Sequence, residues 1–164
     1  MIFYEDIFKA FQHDKVKYIL VGGLAFNLLG GFRATEDLDI LVDMTDENLF
    51  KVVKILKQKK YYVKQPVDPL RIADEETRKD WIKNKNMLAF CFYKETGEQV
   101  DIIIESPVRY ADAIKKVQWV RVEKMSLPVI SIDDLIKMKS KTGRDKDKFD
   151  VNELKKMKKV RNEK

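Results

Sequence analysis

Apolar residues recur along this chain with two different spacings, and the switches between them lay out its elements in order. Over residues 3–12, Phe3, Ile7, Phe8 and Phe11 fall at helical intervals and predict an amphipathic helix lying on the core. Residues 17–21 then read as a short buried strand ending at Gly22-Gly23. Leu24, Ala25, Leu28 and Leu29 return to helical spacing, and Gly30-Gly31 stops that helix. Residues 37–42 form a second strand, after which Asp46 caps a helix with the face Leu49, Val52, Val53 and Leu56. Residues 61–63 predict a further strand. Pro66 and Pro69 mark a loop, and 70–86 is polar with no readable period.

Two strong strands follow at 87–93 and 99–105, and the intervening segment with Gly97 predicts a β-hairpin. Ser106-Pro107 opens a helix over 106–115, and 118–122 and 127–130 read as edge strands. Ser131 caps a helix that Gly143 interrupts, and a second helix runs from Asp145 into a frayed basic tail. There is no internal repeat and no low-complexity linker. The pattern predicts one α/β (α+β) domain over residues 1–164, with helices flanking a mixed sheet and the C-terminal helices packed on the core.

At 164 residues, 45% of them hydrophobic and 37% charged, the chain can bury a substantial core beneath a charged surface. Its longest apolar run, 18–32, contains four glycines and Asn27 and falls short of the roughly 20 apolar residues of a membrane span. The N-terminus has no basic region leading into a long apolar one, so no signal peptide is expected. One cysteine, Cys91, excludes an intrachain disulfide framework and suits a reducing compartment. A cytoplasmic protein with no membrane partner is expected. The net charge of +6 is unevenly placed: residues 137–164 carry twelve Lys or Arg against five Asp or Glu, leaving the rest near −1. Such a segment is either a solvated helix face or a surface for nucleotide phosphates or RNA.

The acids inside the second strand are the first sign of chemistry. Alternate residues of a strand share a face, so Asp37 and Asp39 project together while Leu38 and Ile40 point into the core. Like charges this close repel, and burying them unpaired costs several kcal/mol each. A divalent cation resolves the conflict, because Mg²⁺ takes oxygen ligands from one or two carboxylates together with substrate phosphates. The other reading has Asp37 capping the strand and Asp39 paired with Arg33 or a lysine. Asp101, near the start of another apolar strand, is a third carboxylate and favours the metal.

The preceding glycines fit the same chemistry. Gly22-Gly23 at a strand-to-helix junction lets phosphates approach the backbone, where the following helix offers free N–H groups. A tight turn with close packing is the simpler use of the pair. Neither a G-x-G-x-x-G fingerprint nor a G-K-[ST] phosphate loop occurs.

The order of these features resembles the nucleotidyltransferase (DNA polymerase β-like) superfamily. GGLAFNLLGGFRATEDLDI is similar to its small members, including the AbiE-type toxins, whose pattern is G-G-x-A/S, a spacer, then R-x-T-x-D-x-D. The segment from Asp134-Leu135-Ile136 through Lys139, Gly143-Arg144, Lys146-Asp147 and Asp150 resembles their C-terminal block, so the likeness spans most of the chain. It implies a nucleotidyltransferase fold and an enzyme that moves a nucleoside monophosphate from an NTP to an acceptor, with Mg²⁺ or Mn²⁺ and loss of pyrophosphate.

By the same resemblance, Asp37 and Asp39 would hold two divalent ions, with Asp101 as third ligand and activator of the attacking hydroxyl. Gly22 and Gly23 would cradle phosphates, with Arg33 and Thr35 beside them. Lys139 and Arg144 would neutralise phosphate charge, while Lys146, Asp147 and Asp150 would hold the C-terminal helices or line the pocket. The chain departs from the wider superfamily at Gly23, where many members carry a serine hydroxyl.

Other residues point to packing. His13, the only histidine, reads as a surface or capping residue, which argues against a His-based hydrolase or zinc site. Cys91, Trp81, Trp119, Tyr61 and Tyr62 read as strand, core or edge residues. Two other readings compete. One is a degenerate fold that binds RNA or a partner protein through its basic tail, with strongly salt-dependent affinity indifferent to Asp37 and Asp39. The other is the toxin of a toxin–antitoxin pair. For the enzyme, RNA or tRNA, a protein and a small molecule are all open as acceptors.

Overall fold

A computed structural model describes residues 3–162 and gives, in chain order, α1 (Glu5–His13), β1 (Tyr18–Val21), α2 (Gly22–Leu28), β2 (Asp37–Val42), α3 (Asp46–Gln58), β3 (Tyr62–Val63), α4 (Glu75–Lys85), β4 (Ala89–Tyr93), β5 (Gln99–Ile103), α5 (Tyr110–Ala113), β6 (Gln118–Val122), β7 (Met125–Val129), α6 (Ile132–Ser140) and α7 (Asp145–Asn162). The strands join into one mixed sheet ordered β3-β4-β5-β2-β1-β7-β6. β2 runs antiparallel to β1 but parallel to β5, and β1 runs parallel to β7.

Period-two alternation gives this sheet two unlike faces. On one face Leu38 and Ile40 stand in register with Val100 and Ile102, which pair in turn with Phe92 and Phe90, and all six are fully buried. Trp81 of α4 stacks on Phe90, while Phe8 and Phe11 of α1 pack on Tyr18, so these helices cover the apolar face. The other face carries Asp37, Asp39, Gln99, Asp101 and Cys91 in adjoining registers. α2 lies on that acidic face, its Gly22 against Asp39, and α6 and α7 pack on each other beside it.

Several local expectations change. Phe3 lies outside α1 and is exposed, and Tyr4 takes its place in the core. α2 buries Ala25 and Phe26 most deeply, and Leu24 and Leu28 pack half-buried against the core. Thr45, not Asp46, caps α3: its hydroxyl accepts from the Asn48 N–H, and Asp46 becomes the first helical residue. Residues 70–86, without period because only Thr77, Arg78 and Trp81 of the helix are buried, form a 3₁₀ turn (Pro69–Ala73) and α4, started by an Asp74 cap on Thr77. The helix predicted over 106–115 shrinks to α5 and a 3₁₀ turn. β7 is not an edge strand, because β1 pairs with its far side, whereas β6 is one. The C-terminal segment does not fray within the described residues: α7 continues to Asn162, and Glu163 and Lys164 lie outside them. No helix among the described residues is long and apolar enough to cross a membrane.

Candidate active site

Asp39 and Asp101 occupy the same register on neighbouring parallel strands. Such strands run about 4.8 Å apart, so the two carboxylates are forced side by side. Asp37 stands one pleat away, exposed at the start of β2. Burial, reinforced by the charges of Asp101 and Asp37 and a hydrogen bond with Asp101, pushes the Asp39 carboxyl up to about 7, while Lys139 opposes the shift. Near neutral pH Asp39 therefore holds a proton part of the time, which relieves the repulsion at this position.

Gly22, Gly23, Arg33, Thr35, Asp37, Asp39, Asp101, Lys139, Arg144, Lys146 and Asp147 all line one cavity of about 130 Å³. They come from the start of α2, the 30–36 loop, two strands and the C-terminal helices. Asp150 anchors its wall from below the surface, fully buried and bonded to Arg33.

The two glycines have a tighter duty than admitting a ligand. Gly22 holds φ +68°, and a Cβ there would lie 2.0 Å from Asp39 Oδ2. A Cβ on Gly23 would lie 2.7 Å from Thr35 Oγ1 and 3.0 Å from an Arg33 guanidinium nitrogen. The room that the glycines leave is thus filled first by the protein's own side chains. Thr35 also brings a hydroxyl beside the position where the chain lacks a serine. Gly22→Ala is expected to fold but to lose at least about tenfold in any activity of this site. Backbone strain there costs about 1–3 kcal/mol, and because a Cβ would also lie 2.9 Å from Asp39 Cβ, the methyl displaces the start of β2 as well as the Asp39 carboxylate. Circular dichroism beside an activity assay separates the two effects.

The cationic wall is a buried ion network. Lys139 Nζ lies 2.7 Å from Asp150 and 3.2 Å from Asp147, with its side chain only 6% exposed. Arg33 Nε donates to both Asp150 oxygens, and Arg144 Nε donates to Asp147 at 2.7 Å. Burial would raise the Asp147 carboxyl, but hydrogen bonds from Thr142, Arg144 and Lys139 outweigh it and hold the group below its usual range. Lys139 is therefore already engaged by carboxylates. Arg144 and Lys146 are exposed and keep cationic surface toward the cavity mouth.

Several further polar residues shape this site. The Asn27 side chain bonds both the N–H and the C=O of Arg33 and so folds the 30–36 loop over α2. Its signal was a lone amide in an apolar helix. Gln99 donates to Asp101 and lies two residues before it, so strand period alone places both on one face. Tyr4 and Lys64 gave no signal, since their partners lie far along the chain. Cys91 adjoins Asp101, and burial and that carboxylate push its thiol up to about 12, which leaves it unreactive. Tyr61 and Trp81 are buried, Tyr62 and Trp119 lie exposed on the edge strands, and His13 is exposed.

The donors suit a hard divalent cation: oxygen ligands only, with two acids facing and a third nearby. Among the described residues no three acid, histidine or cysteine side chains form a ready-made cage. Asp37 sits at the exposed strand start and Asp101 is turned partly to Gln99. Mg²⁺ commonly binds through one or two carboxylates with waters and substrate phosphates completing its shell, and this pair fits that mode.

A mixed sheet whose adjoining strands present acids beneath a glycine-led helix defines a nucleotidyltransferase fold, and solved structures bear this out. The lincosamide antibiotic adenylyltransferase LnuA, solved with lincomycin bound, superposes with a TM-score of 0.60 at 21% identity over 93% of this chain and 94% of that one. ANT(2")-Ia in complex with adenylyl-2"-tobramycin gives 0.59 at 14% identity over 95% and 91%. An antigenic nucleotidyltransferase-like protein from Paracoccidioides brasiliensis gives 0.53 at 15% over 93% and 72%. The profile of one family, described as "Nucleotidyltransferase of unknown function (DUF6036)", matches residues 3–164, and the chain belongs to that family. A comparison with curated proteins finds no match.

Proposed function

We propose that this chain is a metal-dependent enzyme that transfers a nucleoside monophosphate from an NTP to an acceptor hydroxyl. The single observation that carries the reading is the meeting of Asp39 and Asp101 in one register at the floor of a cavity whose far wall is cationic. In the reaction the acceptor oxygen bonds to the α-phosphorus as the bond to pyrophosphate breaks. Asp37, Asp39 and Asp101 would hold one or two Mg²⁺ or Mn²⁺ ions, which when bound supply charge neutralisation of attacking and leaving oxygens. Asp101 would take the acceptor's proton, and Arg144 and Lys146 would face the phosphates.

Cavity size divides the substrate. About 130 Å³ is well below the roughly 300–1,000 Å³ of pockets that enclose whole small molecules. It suits the triphosphate, and leaves base and acceptor on the open surface outside. The basic α7 borders that surface, and an RNA acceptor would use it. The non-catalytic reading predicts RNA binding there that ignores the acids, and the toxin reading adds a separately encoded antitoxin.

The test is transfer of label from α-labelled NTPs, with Mg²⁺, to cell RNA, protein and small-molecule extracts, run beside Asp39→Asn. Metal-dependent labelling lost by at least about a hundredfold in the variant is expected. Absence of both labelling and NTP binding by the wild-type chain overturns the reading.

A further inference from the structure

Asp101 is also held along its own strand, from the Asp37 side, by residues that are not acids. Gln99 Nε2 lies 3.1 and 3.3 Å from the two Asp101 oxygens, and Lys64 Nζ donates to Gln99 Oε1 at 2.7 Å. We propose that Gln99, with the sense of its amide set by Lys64, is the positioning residue that fixes the direction of the Asp101 carboxylate beside Asp39. This rests on the metal–nucleotide reading of the site.

The argument is one of donors and acceptors. An ammonium only donates and an ionised carboxylate only accepts, so an amide placed between them has one satisfactory orientation. Its oxygen turns to Lys64 and its N–H₂ to Asp101. Reversed, the amide would set oxygen against carboxylate oxygen and N–H₂ against ammonium. Lys64 therefore excludes the wrong sense, although it touches neither Asp101 nor the cavity lining.

The backbone beneath Gln99 is pinned as well. The buried Tyr4 hydroxyl accepts from the Gln99 N–H at 3.1 Å and lies in donating distance of the carbonyls of Gln99 and Glu36. Glu36 immediately precedes β2, so one hydroxyl ties together the starts of the two strands that carry Asp37, Asp39 and Asp101. Gln99 stands in register with Asp37, and Asp101 with Asp39. The amide thus engages Asp101 from the Asp37 side and leaves its remaining lone pairs for an ion shared with Asp39. Hydrogen bonds of this outer kind fix the direction of a ligand, and their removal typically weakens metal binding about 10–100-fold.

The test is calorimetric titration of the nucleotide-free protein with Mn²⁺, comparing wild type, Asp101→Asn, Gln99→Leu, Lys64→Met and Lys64→Arg. Gln99→Leu is expected to weaken Mn²⁺ binding about tenfold or more, and Lys64→Met about threefold in the same direction. Lys64→Arg, which still donates to the amide oxygen, should keep wild-type affinity. Lys64 is exposed, so its variants report even if Gln99→Leu does not fold. A purely structural role would lower the melting temperature and leave Mn²⁺ affinity within twofold of wild type. That result alongside a clear loss in Asp101→Asn overturns the positioning role alone. A wild-type chain that binds no Mn²⁺, either alone or with a non-hydrolysable NTP analogue present, overturns the reading beneath it too.

Discussion

Asp39→Asn is expected to melt above the wild type at pH 8, although it should lose at least about a hundredfold in nucleotide transfer. In the folded protein burial and the adjoining acids push the Asp39 carboxyl up to about 7, whereas in the unfolded chain it returns to its ordinary 3.8. Between those values the folded state holds a proton that the unfolded state has released. Stability therefore falls as pH rises from about 4 through about 7, and the loss is complete above that. Asparagine keeps the shape without the charge and removes the penalty. The gain at pH 8 is on the order of 2–4 kcal/mol, or roughly 5–15 °C for a chain of this size. Near pH 4 the two proteins should converge, because the wild-type carboxyl is then protonated as well. Mg²⁺ should narrow the gap at pH 8 by stabilising only the wild type. Melting curves at both pH values check this, and equal melting points at pH 8 would refute the assigned strain.

Lys139→Met should be the most destabilising single change in the site. The ammonium is shared by Asp147 and Asp150, whose side chains are 2% and 0% exposed. Methionine fills the volume but leaves both carboxylates with one cationic partner each, Arg144 and Arg33. Breaking a buried ion pair from one side costs about 3–5 kcal/mol, since the remaining charge cannot regain water. The expected fall in melting temperature is roughly 6–20 °C. Adding Asp147→Asn should restore part of it, because the stranded charge is then gone. The variant should also need a higher pH for activity: Lys139 lowers the Asp39 carboxyl, and its removal lets that group rise further. Denaturant titration with a pH–rate profile measures both effects. A loss below 1 kcal/mol would show the network to be hydrated and weak.

Both variants act where residues distant in sequence meet, and this is where sequence and structure part. β2 could be read to the residue, because Leu38 and Ile40 alternate with Asp37 and Asp39 and nothing else in the neighbourhood has that period. The hairpin of β4 and β5 was equally plain, with Gly97 at φ +100° between its strands. α4 was not legible, since a helix that buries so few of its residues carries no apolar stripe. β7 was misplaced as an edge because its neighbour on one side, β1, lies more than a hundred residues earlier. The roster of polar residues around the cavity was readable from spacing and resemblance, but their contacts were not.

Local chemistry and periodicity determined the order of the elements other than α4, the apolar and acidic faces of β2, and the identity of the candidate acids. Tertiary structure alone decided that Asp39 faces Asp101, that Lys139 is enclosed by Asp147 and Asp150, and that Gly22 and Gly23 make room for Asp39 and Thr35. The division has a physical cause. Alternation along a strand is set by backbone geometry within a few residues, whereas strand register and the packing of α6 and α7 depend on the free energy of the whole core. The glycine pair shows both sides: its place before the acidic strand is written in the sequence, but the carboxylate and hydroxyl that occupy its space arrive only when the chain folds.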